Sequence, residues 1–273
     1  MRFDFPALGT HWWIEVWDEV QGETEGKIKD FSLRFVSDFE ARYSRFLPES
    51  ELSILNRDRT LSHPSTETRE LFGYSLQLFR HTRGVFNSLL GHILEARGYD
   101  GAYSFIDKGS AALEPGNPLT DLLISDTEIK LLYGNLDISG YGKGWLIDKL
   151  AFALADRFGV QQFLINGGGD LYVTHQNNQP VEIYLENPMR PGTLVGSTKL
   201  MNRGFACSSP HKRSWTNTAG IDQNHIVTNT TMRDATYVTA STAVAADAFA
   251  TTFLLTSRAE TARLVADHQL EIL

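Results

Sequence analysis

The sequence predicts an α+β fold with mixed or antiparallel sheets and flanking helices. Segments that alternate as strands do and segments with helical periodicity are interspersed along the chain. They do not follow the regular strand–helix–strand rhythm of a doubly wound parallel sheet. The 273 residues contain neither an internal repeat nor a low-complexity linker, so we expect one domain over residues 1–273. Two interleaved subdomains could form that domain.

The first half of the chain supplies a strand and several helices. Thr10–Trp17 alternates between apolar and polar residues, which predicts a strand. A helical pattern follows over roughly Thr24–Tyr43, and Pro48–Glu51 is typical of a helix start with an acid in its first turn. A further amphipathic helix is expected between Thr66, which could cap it, and Gly84, which could end it.

The second half of the chain follows a loop-rich stretch over residues 101–130. A strand is expected from Glu128, and a helix is expected over about Trp145–Phe158, before the strand "QFLIN". The remaining predicted elements are, in order, two strands in "PVEIYLENP" and "STKLMNRGFACSS", a helix in "TAVAADAFATTFLLTS", and a helix running into a final strand in "ETARLVADHQLEIL".

Composition restricts the partners of the protein. The net charge of −8 argues against nucleic acid as a main partner, because phosphate backbones bind basic surfaces. Cys207 is the single cysteine, which excludes an intramolecular disulfide, and we interpret it as a small core or site-wall residue.

No apolar run approaches the roughly 20 residues of a membrane span, and the N-terminus lacks the layout of a signal peptide. We therefore expect a cytoplasmic protein, unless the leader of an exported lipoprotein has been removed.

Two glycine clusters flank the helix predicted over Trp145–Phe158. Gly140–Gly144 contains Lys143 and leads into the helix, where N–H groups and a cation suit an anion. The cluster matches neither a Walker A motif nor the dinucleotide fingerprint GxGxxG, so a tight turn explains it equally well. Gly167–Gly169 follows a strand, where glycines let a ligand or another backbone approach, and a flexible loop is the alternative.

Three further side chains are candidates for chemistry. Asp247 and Thr251 are spaced i, i+4 on a predicted helix, so their oxygens face one side, and such hard ligands suit Mg²⁺. A buried polar pair inside an alanine-rich helix is the alternative for these two residues. His225 lies between turn-rich segments and is a candidate phosphate contact or proton carrier, with a structural histidine as the alternative.

Six segments, taken in order, resemble the ApbE family, the FAD:protein FMN transferases. The resemblance covers nearly the whole chain, and its segments are "ALGT", "YSRFLPESELSILN", "GVFNSLLG", "LDISGYGKGWLIDKLA", "FLINGGGDL" and "TASTAVAADAFAT". The chain departs from the family pattern in having Leu8 for a methionine and Asn87 for a frequent aspartate. It also has "NHIVTN" for His-His-Ile-x-x-Pro and Cys207-Ser208-Ser209 for Ser-Ser-Gly.

The resemblance implies an ApbE-like, T-fold-like architecture with the flavin pocket between subdomains. It implies a Mg²⁺ cofactor whose site comprises the Gly140 carbonyl, Asp247, Ala250 and Thr251. The FAD contacts that it implies are Leu8, Phe46, Val85, Phe86, Asn87, Asp137, Lys143 and Ile226. It places His225 beside the diphosphate, where His225 or the acid-rich metal site with Asp247 would serve as the base.

The activity implied by the resemblance is transfer of the FMN half of FAD to a threonine hydroxyl of a target flavoprotein, with release of AMP. FAD and an acceptor flavoprotein that bears a threonine flavinylation motif are therefore the expected partners. The acceptor pattern Asp-x-x-Thr/Ser-x-Ala/Ser-Thr is absent from this sequence, which fits an enzyme that modifies another protein. Two alternatives stay open: an FAD pyrophosphatase that yields FMN and AMP, and a non-catalytic FAD carrier that needs no metal.

Overall fold

The computed structural model describes residues 1–211, 213–217, 220–228 and 232–273. These residues form two compact units, each assembled from separated segments of the chain. Unit 1 comprises Met1–Glu40, Tyr141–Ser209 and Ala235–Leu273, and unit 2 comprises Ala41–Gly140 and Pro210–Asp234. Helices and antiparallel sheets occur in both units, which confirms the predicted α+β class.

Several of the helices begin at a capping side chain. The helix bounds are α1 Gly22–Tyr43, α2 Glu51–Asp58, α3 Thr66–His81, α4 Gly91–Ala96, α5 Pro118–Asp121, α6 Gly142–Phe158, α7 Ala243–Leu255 and α8 Arg258–His268. The hydroxyls of Ser50, Ser65 and Ser257 accept backbone N–H bonds at the starts of α2, α3 and α8. The cap of α3 is therefore Ser65 and not the predicted Thr66, because Thr66 is already the first helical residue.

The strands are short and are paired antiparallel. Their bounds are β1 Arg2–Ala7, β2 Thr10–Val16, β3 Thr60–Ser62, β4 Leu122–Ile124, β5 Glu128–Leu131, β6 Phe163–Gly167, β7 Asp170–Val173, β8 Val181–Glu186, β9 Leu194–Leu200, β10 Arg203–Ser208, β11 Ser214–Thr216, β12 Asp222–Asn224, β13 Thr236–Ala240 and β14 Glu271–Ile272. Each pair in these sheets runs antiparallel, as hairpin-rich chains favour.

Unit 1 is organised around a seven-stranded sheet. The strand order is β1-β2-β6-β7-β10-β13-β14. Two-residue turns join β1 to β2 at Leu8–Gly9 and β6 to β7 at Gly168–Gly169, and all four residues have positive φ. A Cβ on Gly168 would lie 2.4 Å from Thr10 Oγ1, so the second glycine cluster accommodates the neighbouring strand β2.

Each face of this sheet is covered by a different element. Helices α7 and α8 pack on one face, where Val238, Ala250 and Leu264 are buried together. The β8–β9 hairpin packs on the other face, against Phe205 and Tyr237. Because successive strand residues point to opposite faces, the even-numbered residues of β10 and β13 face α7. This alternation decides which polar side chains of the sheet can reach the helix.

Unit 2 contains two small sheets and several short helices. The order of the larger sheet is β3-β5-β4, and β11 pairs with β12. Leu55 on α2 and Leu71 and Phe72 on α3 are fully buried. The amphipathic pattern predicted for α3 therefore matches a buried apolar face.

The elements predicted from the sequence differ from the structure in one missing strand and in several bounds. Strand β1 was not predicted, although its alternating burial pairs it with β2. The segment "STKLMNRGFACSS" contains the end of β9 and all of β10, because Asn202 adopts a left-handed conformation between them. Helix α6 begins at Gly142 and not at Trp145, so the glycine cluster forms its first turn. Within the described chain no helix is long and apolar enough to cross a membrane.

Replacing Gly144 with alanine tests the close approach of α6 and α7. A Cβ at this position would lie 2.5 Å from the carbonyl oxygen of Ala243, so the helices would have to separate. We expect a loss of roughly 1–3 kcal/mol of stability, measured as a lowered Tm. Gly26→Ala on α1 is the matched control: its Cβ meets nothing within 4 Å, and alanine should hold or raise the Tm. Equal effects of the two substitutions would contradict the packing argument.

Candidate active site

Helices α6 and α7 cap each other with carboxylates. The N–H of Gly144, in the first turn of α6, donates to Asp247 Oδ2 of α7 at 3.0 Å. In return, Asp148 of α6 accepts the N–H groups of Ala243 and Val244 in the first turn of α7, each at 2.8 Å. The first N–H groups of a helix have no partner within the helix, and its N-terminus favours negative charge. Each helix therefore satisfies part of the other's first turn.

The predicted anion site at the glycine cluster is in part occupied by the protein itself. N–H groups of this cluster suit an anion, and the N–H of Gly144 donates to the carboxylate of Asp247. The cluster thus positions a carboxylate, which is a side-chain type that commonly binds Mg²⁺.

A buried charge cluster surrounds Asp247. Lys143 Nζ lies 2.5 Å from Asp170 Oδ2 and 3.7 Å from Asp247 Oδ2. Asp170, at the start of β7, is 4% exposed, and Asp247 is 3% exposed. With both acids ionised, this cluster would hold two carboxylates and one ammonium group, and so carry one excess negative charge.

The burial and charge of this cluster change the pKa of Asp247. Burial, reinforced by the charge of Asp170, raises the pKa of Asp247 to about 7, against the opposing effects of Lys143 and the Gly144 N–H. A cation beside the carboxylate would stabilise its ionised form. Burial also raises the pKa of Asp148 to about 6, although the N–H groups of Val244 and Ala243 oppose the rise.

The donor set around Asp247 fits a hard divalent ion that shares its ligands with a substrate. Thr251 lies one helical turn after Asp247, so its hydroxyl is on the same side of α7. Within the described part of the chain, no three His, Cys, Asp or Glu side chains come together as a metal site. An ion at Asp247 would therefore take most of its oxygens from elsewhere, as Mg²⁺ does when it binds substrate phosphates.

Two other members of the predicted metal set have different surroundings. The carbonyl of Ala250 accepts a hydrogen bond from Thr236 Oγ1 in addition to its place in the helix, which uses both of its lone pairs. Ala250 lies next to Thr251 on α7, and its place in the metal set stays a prediction. Gly140 is the last residue of the first segment of unit 2, and Tyr141 begins the second segment of unit 1. The carbonyl of Gly140 stays a predicted ligand.

Arg45 organises the predicted flavin contacts Phe46 and Asp137 in unit 2. Its guanidinium lies 4.3 Å from the ring centre of Phe46 and 4.7 Å from that of Tyr99. Phe46 also stacks on Tyr103 at 5.3 Å. Arg45 Nε lies 3.1 Å from Asp137 Oδ2, but this buried oxygen lacks the alignment of a hydrogen bond. Asp137 can thus accept a further donor.

The other predicted flavin contacts in unit 2 hold local structure. Asn87 uses both ends of its amide, donating to the carbonyl of Gly116 and accepting from the N–H of Leu89. Phe86 is buried, and Val85 is half-buried. These contacts fix the shape of the loop, so Asn87 supports the loop and its role toward FAD stays a prediction.

Ile226 and His225 lie in the second segment of unit 2. Ile226 is buried, and its carbonyl accepts from Arg97 at 3.2 Å. His225 Nδ1 lies 3.3 Å from the carbonyl oxygen of Arg213. A carbonyl can only accept, so this contact places the proton of the neutral ring on Nδ1 and leaves Nε2 as the basic nitrogen.

Leu8 occupies the tight turn between β1 and β2 in unit 1. Its φ of 48° is left-handed, which a leucine adopts only when the surrounding structure requires it. Backbone strain of this kind is common at ligand contacts, and the contact of Leu8 with flavin stays a prediction.

Sequence reasoning missed Asp148, Asp170 and Ser208. Asp148 lies in the segment "GWLIDKLA", where one acid inside an apolar helical run could have signalled a buried cap. Asp170 directly follows the second glycine cluster, but no role was predicted for it. Ser208 Oγ lies 3.0 Å from Thr251 Oγ1, a contact that depends on strand register and leaves no local sequence signal.

The family model and the solved structures that resemble this chain point to the same family. The sequence model of the ApbE family matches residues 8–273. No curated protein sequence matches the chain. The chain is fully covered by its similarity to three solved structures: Flavin Transferase ApbE from Vibrio cholerae (18% identity, 92% of that chain, TM-score 0.77), the ApbE protein from Thermotoga maritima (19%, 93%, 0.82) and the Pseudomonas stutzeri flavinyl transferase ApbE in its apo form (17%, 89%, 0.82).

Replacing Asp148 with asparagine tests its raised pKa. The pKa is about 6 in the folded protein, whereas an unperturbed aspartate has a pKa of 3.8, so the contribution of Asp148 to stability is complete below pH 3.8 and is lost as the pH rises through 6. The wild type should therefore lose up to about 3 kcal/mol relative to Asp148→Asn between about pH 4 and pH 7. Because Asp247 titrates in both proteins, the difference isolates Asp148. A pH-independent difference in unfolding free energy would contradict the assignment.

Replacing Lys143 with methionine tests the charge cluster. Methionine keeps the stem but leaves Asp170 and Asp247 without their cation, so we expect a loss of about 3–5 kcal/mol, measured by denaturant unfolding. Adding Asp170→Asn removes one of the two like charges and should recover part of the loss. A double variant no more stable than the single one would show that charge balance is not what Lys143 contributes.

Proposed function

Because this chain belongs to the ApbE family, we propose that it transfers the FMN half of FAD to a threonine hydroxyl of a target flavoprotein and releases AMP. The family match confirms the resemblance inferred from six sequence segments, and with it the enzyme class, an FAD:protein FMN transferase. The Mg²⁺ cofactor, the threonine acceptor and the AMP product are the parts of the reaction that we propose.

The observation that carries the proposal is the buried cluster of Lys143, Asp170 and Asp247. A bound cation would balance its excess negative charge. Thr251, one helical turn after Asp247 on α7, has a hydroxyl that can serve as a further ligand. The set is too small to complete a coordination shell, which suits an ion that also binds a diphosphate. Asp247 and Thr251, with the predicted Gly140 carbonyl, would hold Mg²⁺. When bound, Mg²⁺ would neutralise the charge of the diphosphate.

The proposed reaction replaces the phosphoanhydride bond of FAD with a phosphate ester bond to the acceptor threonine. The threonine oxygen of the acceptor forms a bond to the FMN phosphorus, the bond from that phosphorus to the AMP oxygen breaks, and AMP leaves with the electron pair. The threonine proton must pass to a base. His225 is suited to this role, since its contact with the Arg213 carbonyl makes Nε2 the basic nitrogen. Asp247 is the second candidate.

Unit 2 offers features that suit an aromatic ring system. Phe46, Tyr99 and Tyr103 form an aromatic group with Arg45 against two of the rings. The buried Oδ2 of Asp137 lacks an aligned donor and can accept an N–H from a ligand. These features support the proposed flavin contacts of Phe46 and Asp137.

Covalent flavin fluorescence on a denaturing gel tests the proposed function. The purified protein is incubated with FAD, Mg²⁺ and a tagged acceptor that carries the threonine motif, and AMP is measured in parallel. We expect a fluorescent acceptor band and equimolar AMP, and neither for an acceptor whose threonine is replaced by valine. AMP without a fluorescent band would indicate the pyrophosphatase. Binding of FAD without either product would indicate the carrier.

Asp247→Asn should abolish transfer while the fold survives. Asparagine keeps an oxygen for the Gly144 N–H but removes the charge that would hold the cation, and it also removes the repulsion from Asp170. The Tm should therefore stay unchanged or rise, while fluorescent labelling of the acceptor is lost. Asp156→Asn, an exposed position on α6, is the control and should keep full activity. Loss of activity together with a collapsed melting curve would indicate that Asp247 is only a structural cap.

A further inference from the structure

Two adjacent threonines on α7 use their hydroxyls differently. Thr252 Oγ1 donates to the carbonyl of Ala248 one turn back, at 2.8 Å, which is the usual choice for a buried helical threonine. Thr251 Oγ1 instead lies 3.0 Å from Ser208 Oγ on β10. The hydroxyl of Thr251 is thus tied to the sheet at the position where the proposed function needs a metal ligand.

The sheet contacts this turn of α7 at two points. Ser208 and Thr236 are directly opposite each other in the pairing of β10 with β13, and strand alternation points both toward α7. Ser208 meets the Thr251 hydroxyl, and Thr236 Oγ1 donates to the carbonyl of Ala250. One cross-strand pair therefore fixes both the backbone and the side chain of the turn.

The chemistry of a neutral hydroxyl ligand gives the Ser208 contact a direction. A threonine that offers a lone pair to a cation must point its own proton away from the ion, toward an acceptor. Ser208 Oγ is an acceptor at hydrogen-bond distance. Such outer contacts orient metal ligands and strengthen metal binding.

We propose that Ser208 is a positioning residue that accepts the Thr251 proton and so turns the Thr251 lone pair toward Mg²⁺, while Thr236 fixes the backbone of the same turn. This inference rests on the proposed function, since it presupposes that Thr251 is a metal ligand. It assigns to Ser208 a role in metal affinity and none in direct contact with FAD.

The test measures the Mg²⁺ concentration that gives half of the FAD-dependent rise in Tm. Ser208→Ala should raise this concentration about ten-fold or more, because the Thr251 hydroxyl loses its acceptor. Ser208→Thr keeps a hydroxyl on the strand and should restore the wild-type value. The Tm of each variant without FAD shows whether the fold itself has changed.

A double variant separates positioning from structure. In a Thr251→Val background the metal ligand is already gone, so adding Ser208→Ala should change the Mg²⁺ requirement no further. An unchanged requirement in Ser208→Ala, or an equal effect of Ser208→Ala in both backgrounds, would overturn the role of Ser208 while Thr251 remains a ligand. If Thr251→Val alone leaves the requirement unchanged, both the inference and the proposed metal site fail.

Discussion

The reciprocal capping of α6 and α7 is the interaction on which the site depends. Asp247 receives an N–H from the first turn of α6, and Asp148 receives two from the first turn of α7. The two first turns can meet only because Gly144 has no side chain toward Ala243. Gly144, in the glycine cluster that stands out in the sequence, is thus required for packing, and its N–H holds the Asp247 carboxylate near Lys143.

This arrangement buries two carboxylates at a position where a bound cation would stabilise their ionised forms. Burying two carboxylates against one ammonium destabilises the ionised cluster, which is why the pKa of Asp247 rises to about 7. Perturbed carboxylates of this kind are concentrated at functional sites. A structural explanation alone would have favoured an amide or an apolar side chain at position 247, since either avoids the repulsion from Asp170.

Local sequence patterns predicted many of the helices and strands, but they did not predict the contacts between elements that are distant in the chain. The i, i+4 spacing of Asp247 and Thr251 predicted a shared helix face, and α7 has that face. The glycines after β6 predicted a close approach, and the neighbour proved to be Thr10. Ser208 could not be found in this way, because its contact with Thr251 depends on the register of β10 and on its packing against α7. Local periodicity contains no information about either.

Calorimetric titration of Mg²⁺ with and without FAD tests the central claim most directly. Asp247 and Thr251 supply too few oxygens for an independent site, so the substrate diphosphate should complete the coordination. We predict clear Mg²⁺ binding in the presence of FAD and little or none in its absence, with both the binding and its dependence on FAD lost in Asp247→Asn. Tight Mg²⁺ binding without FAD, or FAD-dependent binding that persists in Asp247→Asn, would contradict this account.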